Sequence, residues 1–266
     1  PSHPALANAS IIIWTTTPWT MPGNRALACS TDIEYVVIQI DEIDEGSHAN
    51  VGDTIVLAQA LLGDVCTAIS VAAYTTVHHL TGADCVGTIA AHPLADHGYD
   101  HDVPMFHADY VTTEQGTGFV HIAPGHGIED YELAHLKHGV SVPNTVAEDG
   151  RLMEHLPLFA GMHVLRDNLK IAEIMAEQGG VIGIGKLIHS YPHSWRSKAP
   201  LVYRNTSQWF VSMESHGLRD TAVSELGRTA FYPPAGQNRL TSMIAQRPDW
   251  CLSRQRAWGV PITVFV

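Results

Sequence analysis

The sequence predicts a mixed α/β fold rich in β-structure, a barrel or mixed sheet with peripheral helices, and three observations carry that prediction. Short β-branched or alternating apolar runs crowd the first half of the chain. The helices that a parallel, doubly wound sheet needs between successive strands are mostly missing before residue 128. The chain has 266 residues, 45% of them apolar, which suffices to bury a full core and excludes a disordered polymer.

The elements follow in order. Ser10 to Trp14 is a β-branched run, and Glu34 to Ile40 alternates partly and is rich in Val and Ile, so both read as strands. Val71 to Val77, Asp109 to Thr112 and Gly118 to Ile122 read as further strands. Ile128 to His138 follows a Pro-Gly-His-Gly turn and places Tyr131, Leu133, Ala134 and Leu136 at mostly helical spacing. Asn168 to Gln178 is a second helix, stopped by Gly179-Gly180, because glycine readily adopts the left-handed conformation that ends a helix.

Charge divides the chain. The net charge of −12 conceals a segment 1–185 with 5 Lys+Arg against 23 Asp+Glu and a segment 186–266 with 10 against 4. The division suggests a core over residues 1–186 and a basic part over 187–266. Aromatics interleave with the cations in His193-Ser194-Trp195-Arg196-Ser197-Lys198, Tyr203-Arg204 and Arg254-Gln255-Arg256-Ala257-Trp258. That pattern suits a polynucleotide backbone, and it equally suits a solvated basic face or a surface for an acidic neighbour. Cys29, Cys66, Cys85 and Cys251 form no CxxC pair and read as buried thiols. No apolar run is long enough to cross a bilayer and no secretory leader opens the chain, so a cytoplasmic location is the default expectation; Pro1-Ser2-His3 looks like the cut edge of a larger protein.

Two segments carry chemistry. In Trp14-Thr15-Thr16-Thr17-Pro18-Trp19-Thr20 a strand runs into three hydroxyls and stops at proline. A chain leaving a sheet no longer commits its N–H groups to a ladder, so hydroxyls and amides can converge on one ligand. From Gly116 to Tyr131 a strand ends at a glycine-bearing turn and re-enters as a helix, bringing His121, His126, Glu129 and Asp130 together with several glycines, Gly118 among them. Helix starts favour acids in any case, and isolated histidines are usually packed rather than functional; the concentration in sixteen residues is what marks the segment. Gly183-Ile184-Gly185-Lys186-Leu187 is too short for a P-loop, and no Gly-x-Ser-x-Gly occurs.

At these residues the sequence closely resembles the editing insertion of isoleucyl-tRNA synthetases, connective peptide 1. Trp14 to Thr20 with Asn24-Arg25-Ala26 resembles the family's threonine-rich peptide, and Gly116 to Tyr131 its second signature. His189-Ser190-Tyr191-Pro192-His193-x-Trp195-Arg196, Gln208-Trp209-Phe210 and Arg247 to Pro261 resemble the return towards the synthetic domain. The likeness spans nearly the whole chain and is least distinctive between Asp41 and Asp109. Pro18-Trp19-Thr20 stands where the valyl and leucyl relatives carry an Arg-Pro-acid pattern, which points to the isoleucyl member. Ser194 and Ser197 stand where the family often has cysteines, and the His-Ile-Gly-His and Lys-Met-Ser-Lys-Ser signatures of the ATP site are absent.

The resemblance implies a barrel-like editing domain of a class I aminoacyl-tRNA synthetase that hydrolyses aminoacyl esters. Its implied partners are the 3′ end of tRNA(Ile) carrying valine, valyl-adenylate and the other domains of the parent synthetase, with no membrane. It implies no cofactor or metal for this stretch, ATP and Mg2+ belonging to the parent enzyme. Thr15, Thr16, Thr17 and Asp130 would be catalytic. Trp14, Asn24, Gly118, His121 and Asp130 would bind substrate, Asp130 through its α-ammonium and His121 by excluding isoleucine's extra methylene. Two rival readings are a metal-dependent hydrolase built on His121, His126 and Asp130, and a noncatalytic tRNA-binding module.

Overall fold

The computed structural model of the chain describes residues 2–188, 190–255 and 259–263. His189, Arg256, Ala257 and Trp258 of the quoted motifs lie outside the described residues. The chain forms two compact units, Pro1–Asn205 and Thr206–Val266. The boundary in packing thus falls at residue 205, whereas the charge reverses at 186.

In the first unit eight strands pair as two four-stranded sheets, and the fold class is mixed α/β with β predominant. They are β1 (Ser10–Ile11), β2 (Ala26–Cys29), β3 (Glu34–Ile43), β4 (Thr54–Ala58), β5 (Val71–Thr81), β6 (Ile89–Ala91), β7 (Asp102–His107) and β8 (Val120–Ile122). One sheet runs β1-β4-β3-β5 and the other β6-β7-β2-β8. The β3 segment is central because Tyr35, Val36, Val37, Ile38 and Ile40 leave it apolar on both faces, and all are buried. Alternation does the rest in β2: Leu27 and Cys29 join the core shared with β3, β4 and β5, while Ala26 and Ala28 face Ile122, Leu133 and Ala134. Small side chains at that second face let a helix lie close.

Four of the five expected strands are recovered, with altered ends. The first shrinks to Ser10–Ile11, paired parallel to β4, because the chain departs at the threonines. The expected strand over Asp109 to Thr112 is absent: Asp109 and Tyr110 form a turn closed by the Val111 N–H on the Ala108 carbonyl at 3.2 Å. Its would-be partner β2 ends at Cys29, whose carbonyl takes the Ala108 N–H at 2.9 Å, so β7 has nothing left to pair with. The expected helix from Ile128 is α-helical over Ile128–Asp130 and π-helical over Tyr131–Lys137. Asn168–Glu177 is helical, and Gly179 (φ 75°) and Gly180 close it by donating to the Ala176 and Met175 carbonyls at 2.9 Å each, a Schellman stop.

The second unit contains helices over Leu218–Arg228 and Ala235–Ala245 and a two-residue strand pair, Phe210–Val211 with Trp250–Cys251. The Arg219 guanidinium serves as its clasp. It donates to the carbonyls of Ile244 and Ala245 in the last turn of the second helix and of Arg247 just beyond it, and pairs with Glu214 at 2.7 Å.

Gly118, expected at the site, is instead a packing element. Its φ is 80°, its carbonyl accepts the buried Tyr35 hydroxyl at 2.7 Å, and a Cβ placed there would lie 2.3 Å from the Ala58 Cβ. Left-handed strain and overpacking together make Gly118→Ala cost about 3 kcal/mol. Urea denaturation should show that loss, and an unchanged midpoint would remove Gly118 from the contact between the sheets.

Candidate active site

Past β1 the Ile12 N–H still reaches the Val56 carbonyl at 3.2 Å, but the threonines that follow have no ladder and turn to one another. The Thr15 hydroxyl accepts the Thr17 N–H at 3.0 Å and lies 3.3 Å from the Thr17 hydroxyl. Pro18 opens a 3-10 turn, Pro18–Gly23, at a position where its missing N–H costs nothing. The N–H and the hydroxyl of Thr20 both donate to the Thr17 carbonyl at 2.9 Å.

The facing wall is β8 and the turn after it. His121 lies on β8 opposite Leu27. Asp130 folds back so that its Oδ2 accepts the Ala123 N–H at 2.8 Å, and its other oxygen has no hydrogen-bond partner among the described residues. Gly127 makes room for that turn, since a Cβ there would stand 3.1 Å from the Asp130 carboxyl carbon. Burial pushes the Asp130 carboxyl up to about 6, the Ala123 hydrogen bond acting against it and the nearby Glu129 with it.

Together these segments enclose a cavity of about 440 Å³. Of the residues expected from the sequence, Trp14, Thr15, Thr16, Thr17, His121 and Asp130 line it; Asn24 stands behind His121, and Gly118 is not in the wall. Thr20, Gln115, Val120, Ala123, His126 and Leu187 complete the lining. Thr20 and His126 lay inside the quoted motifs, and their hydrogen-bonding side chains were the available signal. Gln115 and Leu187 carried none, because only the fold brings them here.

A directional chain of hydrogen bonds joins the two walls. The buried Asn24 amide donates to the Ala26 carbonyl at 3.2 Å and to His121 Nδ1, so the His121 proton sits on Nε2. Nε2 donates to the Thr20 hydroxyl at 3.0 Å, which donates on to the Thr17 carbonyl. Burial holds the His121 imidazole down at about 3, with His126 and His92 acting in the same sense. His121 is therefore a neutral part of the wall with both ring nitrogens engaged. His126 is likewise tied at both nitrogens: Nδ1 donates to the Tyr203 carbonyl at 2.9 Å and Nε2 accepts from the Thr145 hydroxyl at 2.7 Å. No group of three or more His, Cys, Asp or Glu placed to hold a metal ion occurs among the described residues.

Behind His121 lie a buried histidine, His92, and a half-buried one, His101. His92 donates to the Met21 carbonyl at 2.9 Å and stacks on Tyr99, and His101 lies 2.8 Å from the Asn24 carbonyl, which the Arg25 guanidinium also engages at 2.7 Å. Burial lowers His92 to about 4 and also lowers His101 and His126. Below about pH 6.5 His92 and His121 bind in the unfolded chain a proton that the folded chain takes up only near about pH 4 and about pH 3, and His101 and His126 shift in the same direction, so stability falls as pH falls through about 6.5. Asp130, raised in the fold, acts in the opposite direction but is one group against several. The unfolding free energy from urea denaturation should fall between pH 7 and pH 5, by up to about 1.4 kcal/mol per pH unit for each of His92 and His121; a flat profile would mean that these imidazoles charge inside the fold.

The sequence profile of the family of tRNA synthetases class I (I, L, M and V) matches residues 8–266. The isoleucine-tRNA ligase of Pelagibacter ubique (strain HTCC1062) is 50% identical over 261 residues, 98% of this chain and 28% of that protein. That of Gluconobacter oxydans (strain 621H) is 45% identical over 278 residues, covering 100% of this chain and 29% of the relative. The chain thus spans less than a third of the length of the curated relatives it matches. Among solved structures, the crystal structure of GlLeuRS-CP1 superposes with a TM-score of 0.52 at 12% identity, over 68% of this chain and 87% of that one. The chain has the fold of a CP1 domain and belongs to the class I tRNA synthetases (I, L, M and V).

Proposed function

We propose that the chain is an editing hydrolase that cleaves valine from mischarged tRNA(Ile), and valyl-adenylate as well. The observation that carries the reading is the cavity itself: a threonine-rich strand end, a carboxylate and a rigid neutral imidazole face one space of about 440 Å³. The need for such a site is general. One methylene in an apolar pocket is worth about 1–3 kcal/mol, isoleucine against valine being the standard case, so a synthetic site admits errors that a second, smaller site must remove.

In this reading Asp130, ionised at neutral pH, takes the substrate's α-ammonium on the oxygen that Ala123 leaves free. The hydroxyls of Thr15, Thr16 and Thr17 orient the attacking water and donate to the oxyanion that develops on the ester carbonyl. The water oxygen bonds to the valine carbonyl carbon as the ester bond to the terminal ribose oxygen breaks; one water proton passes to that oxygen, which leaves as a hydroxyl, and the other is released to solvent from the new carboxyl group. His121 shapes the side-chain pocket, a role that fits an imidazole whose two nitrogens are already engaged.

Asp130→Ala should lower kcat/KM for Val-tRNA(Ile) hydrolysis about a hundredfold, the upper range for a hydrogen bond to a charge, while the helix start loses only about 0.3–1 kcal/mol. In the wild type kcat/KM should rise with pH through about 6 as Asp130 ionises. Undiminished hydrolysis by the variant would remove Asp130 from the site.

His121→Ala should enlarge the pocket and let the chain hydrolyse correctly charged Ile-tRNA(Ile), with valyl turnover changing less than the selectivity. A variant that still spares Ile-tRNA(Ile) would show that the steric gate lies elsewhere.

A further inference from the structure

Residues 178–213 contain no Asp or Glu, in contrast to the acidic stretch before them, and carry Lys186, Arg196, Lys198 and Arg204. Their middle folds as a hairpin. The Leu201 N–H donates to the Pro192 carbonyl at 3.0 Å, and at the tip the Ser194 and Lys198 N–H groups donate to the Ala199 and Ser194 carbonyls at 2.8 Å. His193 pairs with Pro200, and Lys198 takes a φ of 57° to close the turn. The tip presents Trp195, 76% exposed, with the Arg196 guanidinium 4.9 Å from its ring centre. None of the four cations forms an ion pair among the described residues.

Both legs of this hairpin are rooted in the cavity wall. Leu187 lines the cavity, and the Tyr203 carbonyl holds His126, which lines it too. From Leu187 to Trp195 the chain can reach at most about 28 Å, the span of a few nucleotides of a single strand. An exposed indole backed by a cation offers one open face to a base, and free cations beside it offer charge to phosphates. A solvated basic face would need neither the indole nor the anchoring at the cavity.

Resting on the editing reading, we infer that the hairpin is a contact for single-stranded nucleic acid: Trp195 stacks a base, and Arg196 and Lys198 hold phosphates, of the 3′ strand whose last residue enters the cavity. The acidic remainder of the unit repels phosphate, so the hairpin sets the direction from which the strand arrives.

The test is binding of a fluorescein-labelled short single-stranded RNA ending in C-C-A to the 266-residue chain across a range of salt concentrations. Trp195→Ala should weaken binding about tenfold, and Trp195→Phe should restore most of it. Arg196→Ala with Lys198→Ala should reduce the slope of log K against log salt by about 1.4, two phosphates' worth for a single strand. Unchanged affinity and slope in these variants, or no RNA binding by the wild type, overturns the inference and leaves the hairpin as a surface for a protein neighbour. Wild-type hydrolysis of Val-tRNA(Ile), measured alongside, tests the editing reading separately: a chain that binds RNA through the hairpin yet cleaves no ester sinks that reading and keeps the hairpin contact.

Discussion

Thr20 and His121 are 101 residues apart in the chain, and the hydrogen bond between them is the middle of a relay from the Asn24 amide to the Thr17 carbonyl. The Asn24 amide gives one N–H to the Ala26 carbonyl and the other to His121 Nδ1, so the imidazole keeps its proton on Nε2 and passes the direction on to Thr20 and the Thr17 carbonyl. The geometry of the cavity depends on this constraint. Without it the threonines would be an unpaired strand end and His121 one more residue of β8. Its position is in turn guarded by the Arg25 N–H on the Ile122 carbonyl at 2.9 Å, which fixes β2 against β8 beside the histidine.

The relay is placed at a cost in stability. Neutral histidines crowd the region behind the cavity, and Asp130 is held in surroundings that disfavour its charge. A carboxylate that is uncomfortable when empty gains most when a cation arrives, so the same burial that weakens the fold at neutral pH strengthens the proposed grip on an α-ammonium. The apolar mass of β3, β4 and β5 supplies the stability against which these groups are set.

Elements with strong local chemistry were legible in the sequence. The apolar run of β3, the Gly179-Gly180 stop and the helix after Gly127 follow from side-chain periodicity and backbone preference, which act within a few residues. The β2 strand, Ala26–Cys29, was not legible, because two alanines, a leucine and a cysteine have no marked β preference; they form a strand because β7 and β8 flank them. The missing strand at Asp109 is the converse case, a segment with strand-like residues and no partner.

The site divides in the same way. Motif likeness and residue chemistry alone brought Trp14, the three threonines, His121 and Asp130 into consideration, along with the charge reversal and the cation-aromatic run at Trp195. Only the tertiary structure decided that Asn24 acts from behind His121, that His126 is bound to Thr145 and Tyr203, that Gly118 belongs to the contact with Ala58, and that Gln115 and Leu187 reach the cavity. The physical reason is range. Composition and spacing encode interactions among near neighbours, whereas the direction of a hydrogen bond across 101 residues, or the space left for a Cβ, exists only once the two sheets have packed.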